Sequence, residues 1–255
     1  MKRREIPLLE YDGTVPAILE PSKLIAPRDV PEHCVMTFFQ DVIDGYKEVG
    51  RLLELHRFGS ERGHNPLYEM EINGRRLAII HPGVGAPLAA AFMDELIALG
   101  CRKFIACGGC GVLDGKFQVG HVIVPVTAVR DEGTSYHYLP PRREVDLSPE
   151  AIEAITAVLE SQEIAYETGK TWTTDAFYRE TAEKVALRRE EGCICVEMET
   201  AALCAVAKFR GVTFGQLLYG GDDLSGDEWD GRDWQNRAST RETLFALAAA
   251  ACFLL

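Results

Sequence analysis

Three carboxylates stand at the ends of apolar segments, where they could act on a bound ligand. Glu197 and Glu199 lie between an apolar segment and a predicted helix, and Asp222 follows the apolar segment 213–219. Ligands of open α/β sheets bind beside the carboxyl ends of strands. A carboxylate there can stabilise positive charge on a substrate, and an acid can protonate a leaving group. The simpler interpretation is that the first two complement a helix dipole and that Asp222 belongs to a turn.

The elements that must position these carboxylates follow from apolar periodicity. Apolar residues at 198, 201, 202, 205, 206 and 209 predict one helix face, and Gly211 marks its end. Asn73-Gly74 predicts a hairpin between strands over 67–72 and 76–81. A helix over 88–99 and a buried strand over 103–107 complete a strand-helix-strand unit, which favours an α/β fold.

Other segments give less regular patterns. They predict a short strand over 15–19, a helix over 35–55 and a glycine-rich turn at 107–113. Further predictions are a strand over 121–129, a helix from about 149 to 162, and a final helix from about 234 to the end.

The composition restricts the class of protein. The 255 residues suit one domain over 1–255, and 47% hydrophobic residues suffice for a buried core. The net charge of −12 argues against nucleic acid or an anionic membrane as a partner. The apolar run 244–255 is shorter than the ~20 residues that span a bilayer, and the start of the chain lacks the apolar run of an export signal. We therefore expect a cytoplasmic protein with a small-molecule ligand.

The eight cysteines are expected to be reduced thiols in such a compartment. Cys107 and Cys110, together with Cys193 and Cys195, have a spacing that would suit zinc. Because all but Cys110 lie in apolar strands or end one, and buried Cys behaves as a small hydrophobe, we predict no metal site.

The segment Val-Glu-Met-Glu at 196–199 resembles the signature of the nucleoside phosphorylase family. The resemblance continues in the same motif order from about residue 15 to the end of the chain. It implies a three-layer α/β/α fold with a central mixed, largely parallel sheet. It also implies that Glu199 binds the ribose hydroxyls, that Met198 packs on the sugar, and that Glu197 is among the substrate-binding residues.

Two loops resemble the base-binding segments of that family. Segment 171–178 is similar to its Ser/Thr-x-Asp-x-Phe-Tyr motif, so Phe177 is expected to stack on the base, with Arg179 nearby. The run from Arg130 to His137 looks like the Arg-x-x-Gly-x-Ser-x-His run of the uridine phosphorylase branch. The Gln and Arg with which that branch reads a pyrimidine are replaced here, so the identity of the base stays open.

The segment Gly-Gly-Asp-Asp at 220–223 resembles the family's turn that carries the general acid. This role is expected for Asp222, with Asp223 as the second candidate. The candidates for the arginine that supports the acid are Arg232, Arg237 and Arg241.

The resemblance is weakest where the family binds phosphate. The nearest match to its Gly-Asp-Pro-x-Arg loop is 19–23, where Lys23 stands in place of Arg. A second loop, Arg-x-Gly-Ser/Thr-x-Gly, matches 106–111 with Ala in place of Arg and Gly in place of Ser/Thr. The residues then expected to hold phosphate are Lys23, Gly108, Gly109 and Arg130.

These residues together imply that the protein cleaves the N-glycosidic bond of a nucleoside. The first interpretation is phosphorolysis to free base and (deoxy)ribose 1-phosphate, with inorganic phosphate as co-substrate and no other cofactor. The alternatives are hydrolysis by water that Glu20 activates, and non-catalytic nucleoside binding. Because family members complete each pocket with a neighbouring subunit, the resemblance also implies a homo-oligomer, from a dimer to a hexamer.

Overall fold

The computed structural model describes residues 3–61 and 63–255. The strands in these ranges are β1 (His33–Thr37), β2 (Leu53–Ser60), β3 (Gly63–Ile72), β4 (Arg75–Ile80), β5 (Lys103–Val112), β6 (Val122–Asp131), β7 (Glu144–Asp146), β8 (Tyr166–Thr174), β9 (Cys193–Glu197) and β10 (Thr213–Asp223). The helices are α1 (Pro21–Leu24), α2 (Gln40–Glu48), α3 (Ala86–Leu99), α4 (Ser135–Tyr138), α5 (Pro149–Ser161), α6 (Ala182–Glu190), α7 (Thr200–Arg210) and α8 (Ala238–Cys252). Short 3-10 turns cover Pro7–Leu9 and Phe177–Arg179.

One mixed sheet holds the strands together. Its centre is parallel, in the order β4-β1-β5-β10, and β2 and β3 extend it as an antiparallel edge. From β10 the sheet continues through β6, β8 and β9, and β9 pairs with β5 again. Strands β5, β10, β6, β8 and β9 therefore close a ring, and β5 belongs to both the ring and the open part.

Helices cover both faces of the sheet, and two apolar cores result. One core lies between the sheet and α2, α5 and α8, and includes Ile43, Ile155 and Phe245. The other lies between the sheet and α3 and α7, and includes Phe92 and Leu203. The expected three-layer α/β/α class with a mixed sheet is confirmed. Within the described ranges, no helix has both the length and the apolar character needed to cross a membrane.

Several predicted elements are confirmed. The hairpin of β3 and β4 turns at Asn73 and Gly74, which have φ of 50° and 75°, the left-handed conformation that a two-residue turn needs. Helix α7 ends at Gly211, whose φ is 69° and whose N–H donates to the carbonyl of Ala207. Strand β9 leads into α7 as the sequence predicts.

Other predictions were wrong. The helix expected over 35–55 is instead β1, α2 and the start of β2. The strand expected over 15–19 does not form, and the last helix begins at Ala238. The glycine-rich turn expected at 107–113 is the second half of β5, because β10 and β9 supply strand partners there.

Candidate active site

A gap along one edge of β5 locates the site. On that edge β1 ends opposite Cys107, and β9, which runs the other way, begins its pairing at Gly111. Residues 108–110 between them pair only with β10, on the other edge. The chain after β1 and the chain after β9 thus point toward each other across this gap, as at a topological switch point of an α/β sheet.

Glu197 is committed to holding the start of α7. Its Oε1 accepts hydrogen bonds from the hydroxyls of Thr173 at 2.6 Å and Thr171 at 3.3 Å. Its Oε2 accepts from the backbone N–H groups of Glu199 at 2.7 Å and Thr200 at 2.6 Å. Burial raises the pKa of Glu197, and these donors oppose the rise. With both oxygens occupied, Glu197 orients its neighbour rather than a ligand.

Glu199 points to the loop between β4 and α3. The N–H of Gly85 donates to its Oε1 at 2.5 Å, and Gly85 has a φ of 95°, which favours glycine. The side chain is only 6% exposed, and burial, with repulsion from Glu197, raises the pKa of Glu199 to about 8. Such a perturbed acid in a crevice is typical of a functional group. Met198 beside it is half-buried.

The segment after β8 forms one wall of the same crevice, because Thr173 in β8 is paired with Glu197 in β9. Phe177 is 50% exposed and its ring lies 4.1 Å from the ring of Tyr178, which is 88% exposed. Arg179 is also exposed. Phe177 and Arg179 are therefore accessible on the segment that follows β8, and the ring of Phe177 can receive a base.

Asp222 and Asp223 have different partners. Asp223 forms an ion pair with Arg232 and accepts from the N–H of Ser225 at 2.7 Å. Asp222 accepts from the indole N–H of Trp229 at 2.7 Å. Because Asp223 is held by its guanidinium partner, Asp222 is the acid that is better placed to meet a ligand.

The three candidate arginines also have different partners. Arg232 supports the turn through Asp223 and donates to the carbonyl of Phe117 at 2.7 Å. Arg237 donates to the carbonyl of Arg232 at 2.6 Å. Arg241 pairs with Asp41 at 3.0 Å. Of the three, Arg232 is the one that binds the residue next to Asp222, so it stays our candidate for the arginine that supports the acid.

Gly111 shows that Asp222 and β9 converge. A Cβ on Gly111 would lie 3.1 Å from the side chain of Val196 and 3.4 Å from Oδ2 of Asp222. Val196 immediately precedes Glu197. The carboxylates of Asp222 and Glu197 both contribute to the raised pKa of the buried Cys110 thiol, after its contact with Cys195 and its burial. The acid of β10 and the start of α7 therefore face one crevice.

Glu180 also belongs to this group, although the sequence did not single it out. It follows Phe177–Arg179, and its pKa is raised to about 7 by burial and by the nearby charge of Asp222, while Lys184 opposes the rise. The guanidinium of Arg189 reaches the carbonyl of Ser225 at 3.5 Å, which places α6 beside the turn after β10. The sequence does carry one signal for Glu180: it is an acid that directly follows the segment resembling a base-binding motif.

Three expected residues lie elsewhere. Glu20 is buried and accepts from Arg210 at 2.5 Å and from the N–H of Ala17 at 3.0 Å. Arg210 is the last residue of α7, so Glu20 is about 15 Å from the Glu199 end of that helix. Lys23 donates to the carbonyl of Ala17 at 3.4 Å, and His137 lines the same hollow as Glu20. The expected roles of Glu20 as base, Lys23 as phosphate ligand and His137 as part of a substrate-binding loop therefore do not fit these positions.

Arg130 is likewise committed. Its guanidinium donates to the hydroxyl of Ser135 at 2.8 Å and to the carbonyls of Pro140 at 2.8 Å and Leu139 at 3.3 Å. It also lies 4.3 Å from the centroid of the Tyr136 ring. Because this side chain is only 4% exposed, it holds the loop over 135–140 and cannot serve as the expected phosphate ligand.

Aromatic rings surround Gly108 and Gly109. A Cβ on Gly108 would lie 3.1 Å from the Phe38 ring, and one on Gly109 would lie 3.4 Å from the Tyr219 ring. Phe38 follows β1 directly and meets His81 edge to face at 6.0 Å. The chain that leaves β1 at this corner therefore begins with Phe38, and the segment 19–23 does not follow a strand here. The corner where the sequence predicted phosphate has aromatic walls.

The cysteines behave as buried thiols. All eight are free and buried. Among the described residues, no group of three or more His, Cys, Asp or Glu side chains is arranged to hold a metal ion.

Two solved structures share this fold. The AMP nucleosidase of Bacteroides thetaiotaomicron superposes with a TM-score of 0.71 at 24% identity, covering 88% of this chain and 87% of that one. The purine nucleoside phosphorylase of Toxoplasma gondii in complex with immucillin-H superposes with a TM-score of 0.76 at 20% identity, covering 88% and 91%. At these identities the likeness concerns the fold.

Curated relatives match over part of their length. A guanosine phosphorylase of Halorubrum lacusprofundi is 30% identical over 145 residues, which are 57% of this chain and 60% of that protein. A purine nucleoside phosphorylase DeoD-type of Bacillus cereus is 31% identical over 145 residues, 54% of this chain and 60% of that protein. The chain thus matches about three fifths of the length of these relatives.

A family model covers most of the chain. Residues 32–253 match the family described as the phosphorylase superfamily. The match excludes Glu20 and Lys23, in agreement with their position away from the crevice. It includes both carboxylate segments and all ten strands. The chain therefore belongs to the phosphorylase superfamily.

Proposed function

We propose that the protein cleaves the N-glycosidic bond of a purine nucleoside, by phosphorolysis to free base and (deoxy)ribose 1-phosphate. The observation that carries this proposal is the approach of Asp222 to Gly111 and Val196, where the segment that carries Glu199 begins. The purine assignment is supported by the names of the relatives, which are guanosine and purine nucleoside phosphorylases. The uridine branch, which one loop resembles, is not among these names and is not proposed.

The chemistry divides between the two carboxylates. As the bond between C1′ and the base nitrogen breaks, its electron pair goes to the base and positive charge develops on the ribose. Glu199 accepts hydrogen bonds from the ribose hydroxyls, which favour its charged form, and its charge stabilises the oxocarbenium-like ribose. Asp222 donates a proton to the base, and the nucleophile bonds to C1′.

Hydrolysis is the second candidate, and the aromatic corner favours it. A phosphate dianion needs several convergent donors. Lys23 and Arg130, the cationic candidates, are held elsewhere. The groups left for phosphate are backbone amides of the loop that contains Gly85 and of 108–111. Water needs fewer hydrogen-bond donors than phosphate does, so such a corner can hold it. Glu20, however, is too far away to activate this water.

The deciding experiment follows base release from a panel of nucleosides, with 50 mM phosphate and in buffer freed of phosphate by an enzymatic phosphate trap. Phosphorolysis predicts release that depends on phosphate and yields a sugar 1-phosphate. If base and free ribose are released at the full rate without phosphate, phosphorolysis is refuted and the reaction is hydrolysis. Nucleoside binding without release under either condition would leave only a binding protein.

Assembly and location are part of the proposal. Val84, Phe177 and Tyr178 are large apolar side chains exposed at the mouth of the crevice, and a neighbouring subunit would cover them. We therefore propose a homo-oligomer, from a dimer to a hexamer, which light scattering tests. Eight free thiols suit the reducing cytoplasm.

A further inference from the structure

A second hollow lies at the other end of β4 from the crevice. It has a volume of about 360 Å³, which is in the range of small-molecule pockets, and it is bounded by α8, the hairpin of β3 and β4, and the chain around the end of α2. Arg75, at the amino end of β4, lines this hollow, whereas the carboxyl end of β4 leads to the loop whose Gly85 binds Glu199. Because the six residues of β4 span roughly 17 Å, the hollow is separate from the crevice.

The hollow has an apolar floor and aromatic walls. Met70 in β3 and Phe245 in α8 lie at its base and are 2% and 1% exposed. The ring of Tyr46 lies 5.4 Å from the ring of Phe245. Phe245, Ala249 and Phe253 follow one another at intervals of four residues, so they share one face at the end of α8. The small Ala249 leaves room between the two rings, and an aromatic ligand could make offset or edge contacts with these walls.

Two guanidinium groups are held over the aromatic walls. Arg51 lies 5.3 Å from the centroid of the Tyr46 ring, and Arg75 lies 4.2 Å from that of the Phe253 ring. Within the described ranges neither forms an ion pair, and Arg75 donates one hydrogen bond, to the carbonyl of Phe253 at 3.0 Å. Stacking fixes the plane of a guanidinium and leaves N–H groups at its edge for an acceptor. The two groups are therefore prepared to bind an anion.

The surroundings of the hollow are positive although the protein is acidic. The chain has 39 Asp and Glu residues against 27 Lys and Arg, yet none of the described residues that line the hollow is acidic. The ring of His33 meets the Phe253 ring edge to face at 5.7 Å. Burial lowers the pKa of His33, and the charges of Lys103 and Arg75 lower it further. Such a site favours an anion with an apolar body over a neutral or cationic ligand.

We propose that this hollow binds an aromatic carboxylate, with its ring against Tyr46, Phe245 and Phe253 and its carboxylate on Arg51 and Arg75. A planar carboxylate matches the fork of N–H donors on a guanidinium. An alkyl carboxylate would make the same ion contacts, but it would lose the ring contacts and more conformational entropy on binding. The proposal goes beyond the nucleoside-cleaving function and does not depend on it.

The test is calorimetric titration of the protein with 2-naphthoate, its neutral isostere 2-naphthalenemethanol, and octanoate. Naphthoate should bind with a Kd of about 10 µM to 1 mM, and each of the other two about 10-fold more weakly or worse. Arg51→Gln and Arg75→Gln should each weaken naphthoate binding about 10-fold or more. Arg142→Gln is the matched control, because it removes the same charge from an exposed position that does not line the hollow, and it should leave the affinity unchanged.

Ala250→Trp gives the location, because Ala250 is a half-buried residue of the hollow and a large side chain there would fill the space. This variant should not bind naphthoate. The proposal is overturned if the alcohol or octanoate binds as tightly as naphthoate, if Arg142→Gln is as harmful as Arg51→Gln, or if naphthoate does not bind wild type. In the last case, a lower molar mass of Ala250→Trp in light scattering would assign the hollow to a contact between subunits. Should Arg75→Gln not fold because it releases the carbonyl of Phe253, Arg51→Gln decides alone.

Discussion

Glu199→Gln separates the role of the charge from the role of the shape. The amide oxygen can still accept from the N–H of Gly85, which lies 2.5 Å from the carboxylate, so the crevice keeps its form. The negative charge that stabilises the oxocarbenium ion is lost. Because this stabilisation is made mainly in the transition state, kcat should fall by about 10²–10³-fold with a smaller change in nucleoside affinity.

The same substitution should stabilise the ligand-free fold at high pH. The pKa of Glu199 is about 8 in the folded protein, against 4.5 for a glutamate in water. Between these values the native state holds one more proton than the unfolded state, so the free energy of unfolding falls by about 1.4 kcal/mol per pH unit as pH rises. Integrated over about 3.5 units this amounts to about 4–5 kcal/mol above pH 8. Glu199→Gln has no ionisable group at this position, so its free energy of unfolding lacks this loss at high pH.

The assay is urea unfolding, followed by circular dichroism at pH 5.5 and 8.5 without ligand, with single-turnover base release measured beside it. Glu197→Gln is the control, because its amide nitrogen would face either the two N–H groups that donate to Oε2 or the two hydroxyls that donate to Oε1, and one pair of hydrogen bonds would lose its acceptor. That variant should be less stable at both pH values. Near-normal turnover in Glu199→Gln, or a pH slope equal to that of wild type, would refute the reasoning.

A further prediction concerns the base. Asp222→Asn should slow the cleavage of guanosine and inosine by about 10²–10⁴-fold. It should slow the cleavage of a nitrophenyl riboside far less, because that leaving group needs no proton. Equal losses for both kinds of substrate would show that another residue is the acid.

Local sequence signals predicted the elements on which the site is built. The apolar face of α7, its Gly211 terminus and the Asn73-Gly74 turn depend on residues close in sequence, and each is confirmed. The region 35–55 failed because its apolar residues fit both a strand and a helix, and length alone did not separate β1 from α2. The strand conformation of 107–112 depends on β10 and β9, which are remote in sequence.

Long-range partners also decided which candidate side chains are available. The sequence shows two acids in Glu-x-Glu, but the division of roles comes from Thr173, which binds Glu197, and from Gly85, which binds Glu199. Glu20 is removed from consideration by Arg210, 190 positions away. No pattern within either segment contains this information.

The electrostatics of the crevice connect the choice of base with the choice of nucleophile. Four acids, Glu197, Glu199, Asp222 and Glu180, lie near this crevice, and those that are ionised stabilise a positive ribose but repel a phosphate dianion. On the nucleophile side, the rings beside Gly108 and Gly109 are those of Phe38 and Tyr219. Phosphate then depends on the backbone amides of the Gly85 loop and of 108–111, or on a cation from a neighbouring subunit. Neutral water has no such requirement. For this reason the phosphate dependence of base release distinguishes the two reactions better than any affinity does.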